Sequence, residues 1–248
     1  MNTDVSSNYH HIQQAIEQAC QSNQRAASEV LLLSVSKTHP AESVAAAYAA
    51  GARDFGENYV QEAVDKIEAF DAAHPDNAAI WHFIGPLQSN KTRTVAAYFD
   101  WVHSVERLKI AQRLSAQRPA SRTPLNLCLQ VNISVQESKS GCLPQEALAL
   151  AMDIAQLPNV HLRGLMAIPA PINLSDSRAQ QQAPFDALRA LFENIKAQLP
   201  AEQAVFFDTL SIGMSDDYEL AIAAGSTMVR VGTAIFGARD YNNETDTQ

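Results

Sequence analysis

Eight short, β-rich runs recur along the chain, and helical patterns fill the gaps between them. The runs are Val30–Lys37, Arg53–Asn58, Ile80–Gly85, Trp101–Val105, Leu125–Ile133, Leu162–Ile168, Asp208–Met214 and Met228–Gly237. The early ones repeat roughly every 22–25 residues, close to the length of one strand–helix unit. Regular alternation of strand and helix argues for an α/β protein with a parallel sheet rather than segregated α+β layers. Eight parallel strands is the number that closes a barrel. The expected fold is therefore a single (β/α)8 TIM barrel spanning residues 1–248.

The gaps support this reading. "PAESVAAAYAAG" is alanine-rich and stops on Gly51, a suitable residue just past a helix end. "VQEAVDKIEAF" places Val60, Val64 and Ile67 on one face. "PQEALALAMDIAQLP" has proline at its start and just beyond its end, and "APFDALRALFENIKAQLP" repeats apolar residues at helical spacing. Tyr9 to Ala27 reads as a lead-in helix packed across one barrel end. "PAPINLSDSRAQQQAP" reads as a long mobile insertion after the sixth strand, and residues 1–8 and 242–248 as disordered.

Composition narrows the class of function. Net charge is −9, which gives no electrostatic bias toward nucleic acid. Cys20, Cys128 and Cys142 are scattered and lack metal spacing, so they read as packing residues in a reducing compartment. "MNTDVSSNYHHI" has no basic patch followed by an apolar run, and no apolar stretch reaches membrane-spanning length. The expectation is a cytoplasmic protein with no membrane partner, more readily a monomer than an oligomer.

A barrel presents chemistry at the C-terminal ends of its strands. Those ends carry Lys37, Asn58, His82, Ser104, Asn132, Met166, Ser211, and Arg230 with Gly232. A lysine at a strand exit is either a snorkelling surface charge or a desolvated amine able to attack a carbonyl. "SIGMSDDYELAIAAG" and "RVGTAIFGARDY" read as the loops after the last two strands, where barrels often hold phosphate. Backbone amides near Met214 and Gly232, with the hydroxyls of Ser211, Ser215 and Thr233, are candidate phosphate donors. Ser215 or Asp216 with Glu219 also reads as a helix capping box, which is compatible with an anion site. Arg230 is either a salt-bridged surface residue or a donor aimed into the mouth. Asn58 with Gln61 reads as a capping box or as a pocket wall. His82 is a pocket wall or a satisfied structural histidine, and Met166 a ring cover or core filler. Lys91 and Lys139 are solvated by default.

"SVSKTHP", "FGENYVQE", "WHFIGPLQSNK", "SKSGC", "RGLM" and "LSIGMSDDYELAIAAGSTMVRVGTAIFGAR" together resemble the pyridoxal phosphate homeostasis protein family over roughly Ala27 to Tyr241. The resemblance implies an alanine racemase N-terminal-like barrel holding pyridoxal 5'-phosphate (PLP) as a Schiff base on Lys37. It implies a role in vitamin B6 and amino-acid homeostasis, apo PLP-dependent enzymes as partners, and no efficient turnover. The alternative is a PLP-dependent racemase with weak turnover, because the chain ends where racemases carry a further domain. By likeness to racemases, Arg230 faces the ring nitrogen. Lys139 matches the family's "SKSG" element, which makes it a possible second phosphate or aldehyde contact. His39 stands where family members commonly carry a second lysine.

Overall fold

A computed structural model describes residues 4–76, 79–173 and 175–238. The strands are β1 (Leu31–Val35), β2 (Asp54–Glu57), β3 (Ile80–Phe83), β4 (Trp101–Val105), β5 (Leu125–Gln130), β6 (Val160–Met166), β7 (Thr209–Ser211) and β8 (Met228–Val231). The helices are α1 (Val5–Ser22), α2 (Ala41–Ala49), α3 (Val60–Ala73), α4 (Thr92–Tyr98) and α5 (Leu108–Gln117), then α6 (Pro144–Ala155), α7 (Arg178–Gln198), α8 (Ala201–Ala204), α9 (Tyr218–Ala223) and α10 (Thr233–Phe236). Each strand pairs in parallel with the next, and β8 returns to β1 through Leu31↔Met228 and Ser34↔Val231, so the sheet closes.

Strand alternation sorts side chains into two layers. Phe55 of β2 and Trp81 of β3 face outward, where they meet Phe70 of α3. Their neighbours Asp54, Gly56 and His82 therefore point into the barrel. The interior is unusually polar: His82, His103 and Ser211 are fully buried and Arg230 nearly so. Cys128, Met166 and Trp101 form a small apolar cluster beside them. All three cysteines are free, buried thiols, and burial pushes Cys128 and Cys142 up to about 12, so they pack rather than react.

Close approach of β6 and β7 depends on Gly164. Its φ is +155°, and a Cβ there would lie 1.7 Å from the Thr209 carbonyl oxygen. Gly164→Ala is expected to lower stability by on the order of 3 kcal/mol in denaturant titration. An unchanged midpoint would show that the two backbones can separate without cost.

Several boundaries differ from those expected. α1 starts at Val5, because the Asp4 side chain accepts from the Ser7 amide at 3.0 Å; residues 5–8 are helical, not disordered. Residues 1–3 and 242–248 lie outside the described residues. α1 packs against α2, α9 and α10 on the outer ring, and its Asn8 donates to the Ile235 carbonyl at 3.1 Å. α7 starts at Arg178 through a reciprocal capping box between Ser177 and Gln180, so the polar segment after β6 is shorter than read and Pro184 lies inside the helix. β8 ends at Val231, since the Ile235 and Phe236 amides both donate to the Gly232 carbonyl at 2.9 Å and wind residues 233–236 into a helical turn. No helix among the described residues is long and apolar enough to cross a membrane.

Candidate functional site

Lys37 emerges at the C-terminal end of β1, half-buried, in a loop clamped from both sides. The Ser36 amide donates to the Gly56 carbonyl at 3.0 Å, and Ser36 Oγ donates to Glu57 Oε1 at 2.7 Å. Lys66 Nζ, nearly fully buried, donates to the Ser36 carbonyl at 2.8 Å, to Glu57 Oε1 at 2.5 Å and to Glu62 Oε1 at 3.0 Å. On the far side the Thr38 amide donates to Glu62 Oε1 at 2.6 Å, with Thr38 in the left-handed region at φ +65°. Burial pushes the Glu57 carboxyl up, while Lys66 and the Ser36 hydroxyl pull it back. Sequence reasoning missed Glu57 and Lys66. The available signal was the Glu62–Lys66 pair at i,i+4 on α3, which reads as a solvated helix pair.

The loops after β7 and β8 meet beside this clamp. Gly213 has φ +105°, where a Cβ would lie 2.6 Å from the Ala221 methyl. The Arg230 amide donates to its carbonyl at 2.9 Å, which ties the two loops together. The capping box expected from Ser215 or Asp216 with Glu219 does not form. Asp217 takes the cap position, and its Oδ1 accepts from the Met214 amide at 2.5 Å. The Met214 amide is thereby committed, and its side chain lies exposed at the rim. The amides of Ser215, Asp216 and Gly232 donate to no protein acceptor among the described residues. Gly232 lies against the end of β1; a Cβ there would sit 3.1 Å from the Val35 carbonyl oxygen, two residues before Lys37. Thr233 opens α10 and is exposed.

Below this turn lies Arg230. Its Nη1 donates to the Ser211 carbonyl at 2.7 Å and to Ser211 Oγ at 3.0 Å, and its Nη2 donates to the Ala167 carbonyl at 3.0 Å. Burial lowers its guanidinium to about 10, so it stays charged at neutral pH. The surface-salt-bridge reading of Arg230 therefore fails. Ser211 is corrected too: its hydroxyl is buried in the barrel against Arg230 and His103, not offered to the phosphate turn. His82 is no pocket wall. It is fully buried, stacked on Trp101 at 5.3 Å and bonded to Asp54 and His103. Met166 is core filler, 1% exposed beside Trp101 and Cys128.

Asn58 does not cap α3. The cap residue is Tyr59, and Gln61 instead donates to Asp65 Oδ1 at 2.9 Å. Asn58 Oδ1 is left buried without a partner at the end of β2, an atom that a ligand donor at the mouth would satisfy. Lys139 is not simply solvated: its Nζ donates to the Ile168 and Pro169 carbonyls at 2.9 and 2.5 Å, and burial lowers its pKa. Lys91 is exposed at the start of α4. His39 stacks on Phe236 of α10 with ring centroids 5.3 Å apart.

The family "Alanine racemase, N-terminal domain" is matched over residues 12–240. The pyridoxal phosphate homeostasis protein of Pseudomonas aeruginosa is 57% identical over 226 residues, covering 91% of this chain and 92% of that protein. Its counterpart in Haemophilus influenzae is 53% identical over 239 residues, covering 96% and 98%. The structure of PipY from Synechococcus elongatus with PLP bound superposes with a TM-score of 0.74 at 40% identity, over 90% of this chain and all of that one. A closed eight-stranded parallel barrel, matched over nearly its full length to proteins of one name, places this chain in the pyridoxal phosphate homeostasis protein family.

Proposed function

We propose that this protein binds PLP and helps maintain its supply, holding the aldehyde as a Schiff base on Lys37 until an apo PLP-dependent enzyme receives it. One observation carries the reading: a lysine clamped at the barrel mouth adjoins a turn of uncommitted amides, with a buried arginine below the turn. The PLP-bound relative supports the choice of ligand. When bound, PLP supplies an electrophilic aldehyde and a conjugated ring that draws electrons from the attached carbon.

The chain's own residues divide the work. Lys37 offers the amine. The amides of Ser215, Gly232 and Thr233 offer donors to the phosphate, since the first residues of a helix carry unbonded N–H groups. Asn58 offers its unpartnered Oδ1. Nη1 of Arg230 is held twice by Ser211 and Nη2 once by Ala167, which leaves Nε–H and the second Nη2–H as donors for the ring nitrogen. Arginine only donates, so it leaves that nitrogen without a proton and weakens the ring as an electron sink. This suits holding PLP better than sustained carbanion chemistry.

The test is titration of the purified protein with PLP, where a visible band that saturates at one equivalent is expected. Incubation of the loaded protein with each alanine enantiomer in deuterated water is expected to give slow or no α-proton exchange. Rapid exchange would assign the protein to racemase chemistry; absence of the band would remove PLP as its ligand.

A further inference from the structure

Five polar side chains form one unbroken line through the barrel interior. Asp54 Oδ1 lies 2.9 Å from His82 Nε2, and His82 Nδ1 lies 3.0 Å from His103 Nε2. His103 Nδ1 lies 3.0 Å from Ser211 Oγ, which is itself 3.0 Å from Arg230 Nη1. The line starts at the first residue of β2, at the N-terminal mouth, and ends on β8 below the proposed phosphate turn.

The two ends dictate where every hydrogen sits. A guanidinium has donors only, so Ser211 Oγ accepts from Arg230 and its own hydrogen is left to give. His103 Nδ1 lies in reach of it, and the Asp54 carboxylate, which only accepts, sets the same direction from the other end. His103 must then carry its hydrogen on Nε2 and donate it to His82 Nδ1. By the same logic His82 carries its hydrogen on Nε2 and donates it to the Asp54 carboxylate. Both imidazoles are neutral and both are the Nε2–H tautomer. A second proton on His82 would set its Nδ1–H against the His103 Nε2–H, and one on His103 would leave the Ser211 hydrogen without its acceptor, both in a fully buried site. Burial, with His82 and Arg230 alongside, holds His103 well below the usual histidine range, which agrees with this assignment. The other ionisable groups nearby do not enter the line. Arg163 lies over the Trp101 ring at 4.6 Å and is paired with Asp208, the Cys128 thiol is raised, and Asp217 bonds the Met214 amide.

We propose that Asp54, His82 and His103 are positioning residues for Arg230, acting through Ser211 as a hydrogen-bond chain of fixed direction. Its upper end fixes the guanidinium through Ser211, so that the remaining N–H donors are presented to the mouth. Its lower end is a partly open carboxylate beside a cavity of about 590 Å3, which Tyr9, Gln13 and Arg53 help to line. An acceptor lost at one mouth thus releases hydrogen positions at the other. That Arg230 serves the PLP ring rests on the function proposed above; the chain itself does not.

The experiment is 15N NMR of histidine-labelled full-length protein, without and with PLP, alongside the visible spectrum. His82 and His103 are expected as neutral Nε2–H tautomers. Asp54→Leu removes the terminal acceptor and is expected to let His103 populate both tautomers, two links away. Asp54→Asn keeps an oxygen acceptor and is expected to retain the wild-type pattern. Ser211→Ala cuts the chain from the other end and is expected to release His103 while Asp54 is intact, which covers the case of a misfolded Asp54→Leu. In the loaded protein, Asp54→Leu is expected to shift the visible band and weaken PLP binding about tenfold, with Asp54→Asn near wild type. Unchanged tautomers in both Asp54→Leu and Ser211→Ala would overturn the proposal. Tautomers that respond while band and affinity stay fixed would overturn the positioning role. A wild-type protein that shows no band fails the proposed function, and the tautomers of the unloaded protein still decide the chain.

Discussion

Lys37→Ala is expected to abolish the visible band that PLP gives with the wild-type protein. Borohydride treatment of the loaded wild type is expected to fix one PLP per chain on the peptide carrying Lys37, and none on the variant. The argument rests on placement. The loop around Lys37 is held by the Ser36, Glu57, Lys66 and Glu62 bonds, so the lysine projects from a backbone fixed at the mouth. A nucleophile carried on a held backbone forgoes part of the entropy of searching for its partner. Lys37→Arg is expected to fail equally, because a guanidinium is not a nucleophile at neutral pH. Residual, colourless binding through the phosphate donors is expected in both variants, weaker by at least roughly tenfold. Lys91→Ala, at an exposed helix start, is expected to behave as wild type. A full band in Lys37→Ala, with label on Lys139, would move the amine role to the loop after β5.

The elements that could be read in advance are those whose signal is local. The eight strands are visible because a parallel barrel strand, buried on both faces, needs a short apolar run wherever it occurs. Lys37 stands out because a charge directly after such a run either snorkels back to water or serves the barrel mouth. The last strand misled for the same local reason. "MVRVGTAIFG" is rich in β-formers throughout, yet Gly232 turns the chain and Ile235 and Phe236 bury in a helical turn instead. Alternation along "IWHFIG" sets His82 opposite Trp81 and Phe83. It could not reveal how deep in the barrel His82 sits. Depth depends on the stagger between strands, and the His82–His103 bond joins residues 21 positions apart. Ser211 shows the same limit. A serine at the end of a strand near a phosphate turn is a reasonable phosphate donor until Arg230 and His103 are seen to claim its hydroxyl. Asn58 and Ser215 looked like caps because the motif is local, but Tyr59 and Asp217 took those positions once tertiary contacts set the helix starts.

The clamp behind Lys37 carries the other large expected effect. Lys66→Met is expected to destabilise the protein by about 3–5 kcal/mol at pH 8, because it leaves the Glu57 carboxylate buried with only the Ser36 hydroxyl for company. For a chain of this size that is a fall of roughly 10 °C in melting temperature. Glu57→Gln is expected to cost less, since Lys66 keeps Glu62 and the Ser36 carbonyl as acceptors. The two variants also separate by pH. Burial already raises the Glu57 carboxyl above its unfolded value, and removing Lys66 takes away the main opposing influence. A carboxyl raised on folding binds its proton more tightly in the native state. Its penalty is therefore full above the folded pKa and shrinks as pH falls toward the unfolded one, near 4.3. The gap between Lys66→Met and wild type is expected to narrow as pH falls from 8 to 5 in paired denaturant titrations, while the gap for Glu57→Gln follows no such trend. A gap for Lys66→Met that is independent of pH would mean that the loss is one of packing along the lysine stem, and Glu57 would then hold Ser36 as a neutral acid. PLP binding offers a second reading of the same clamp. If it fixes Lys37, Lys66→Met is expected to slow band formation at temperatures where the variant is still fully folded.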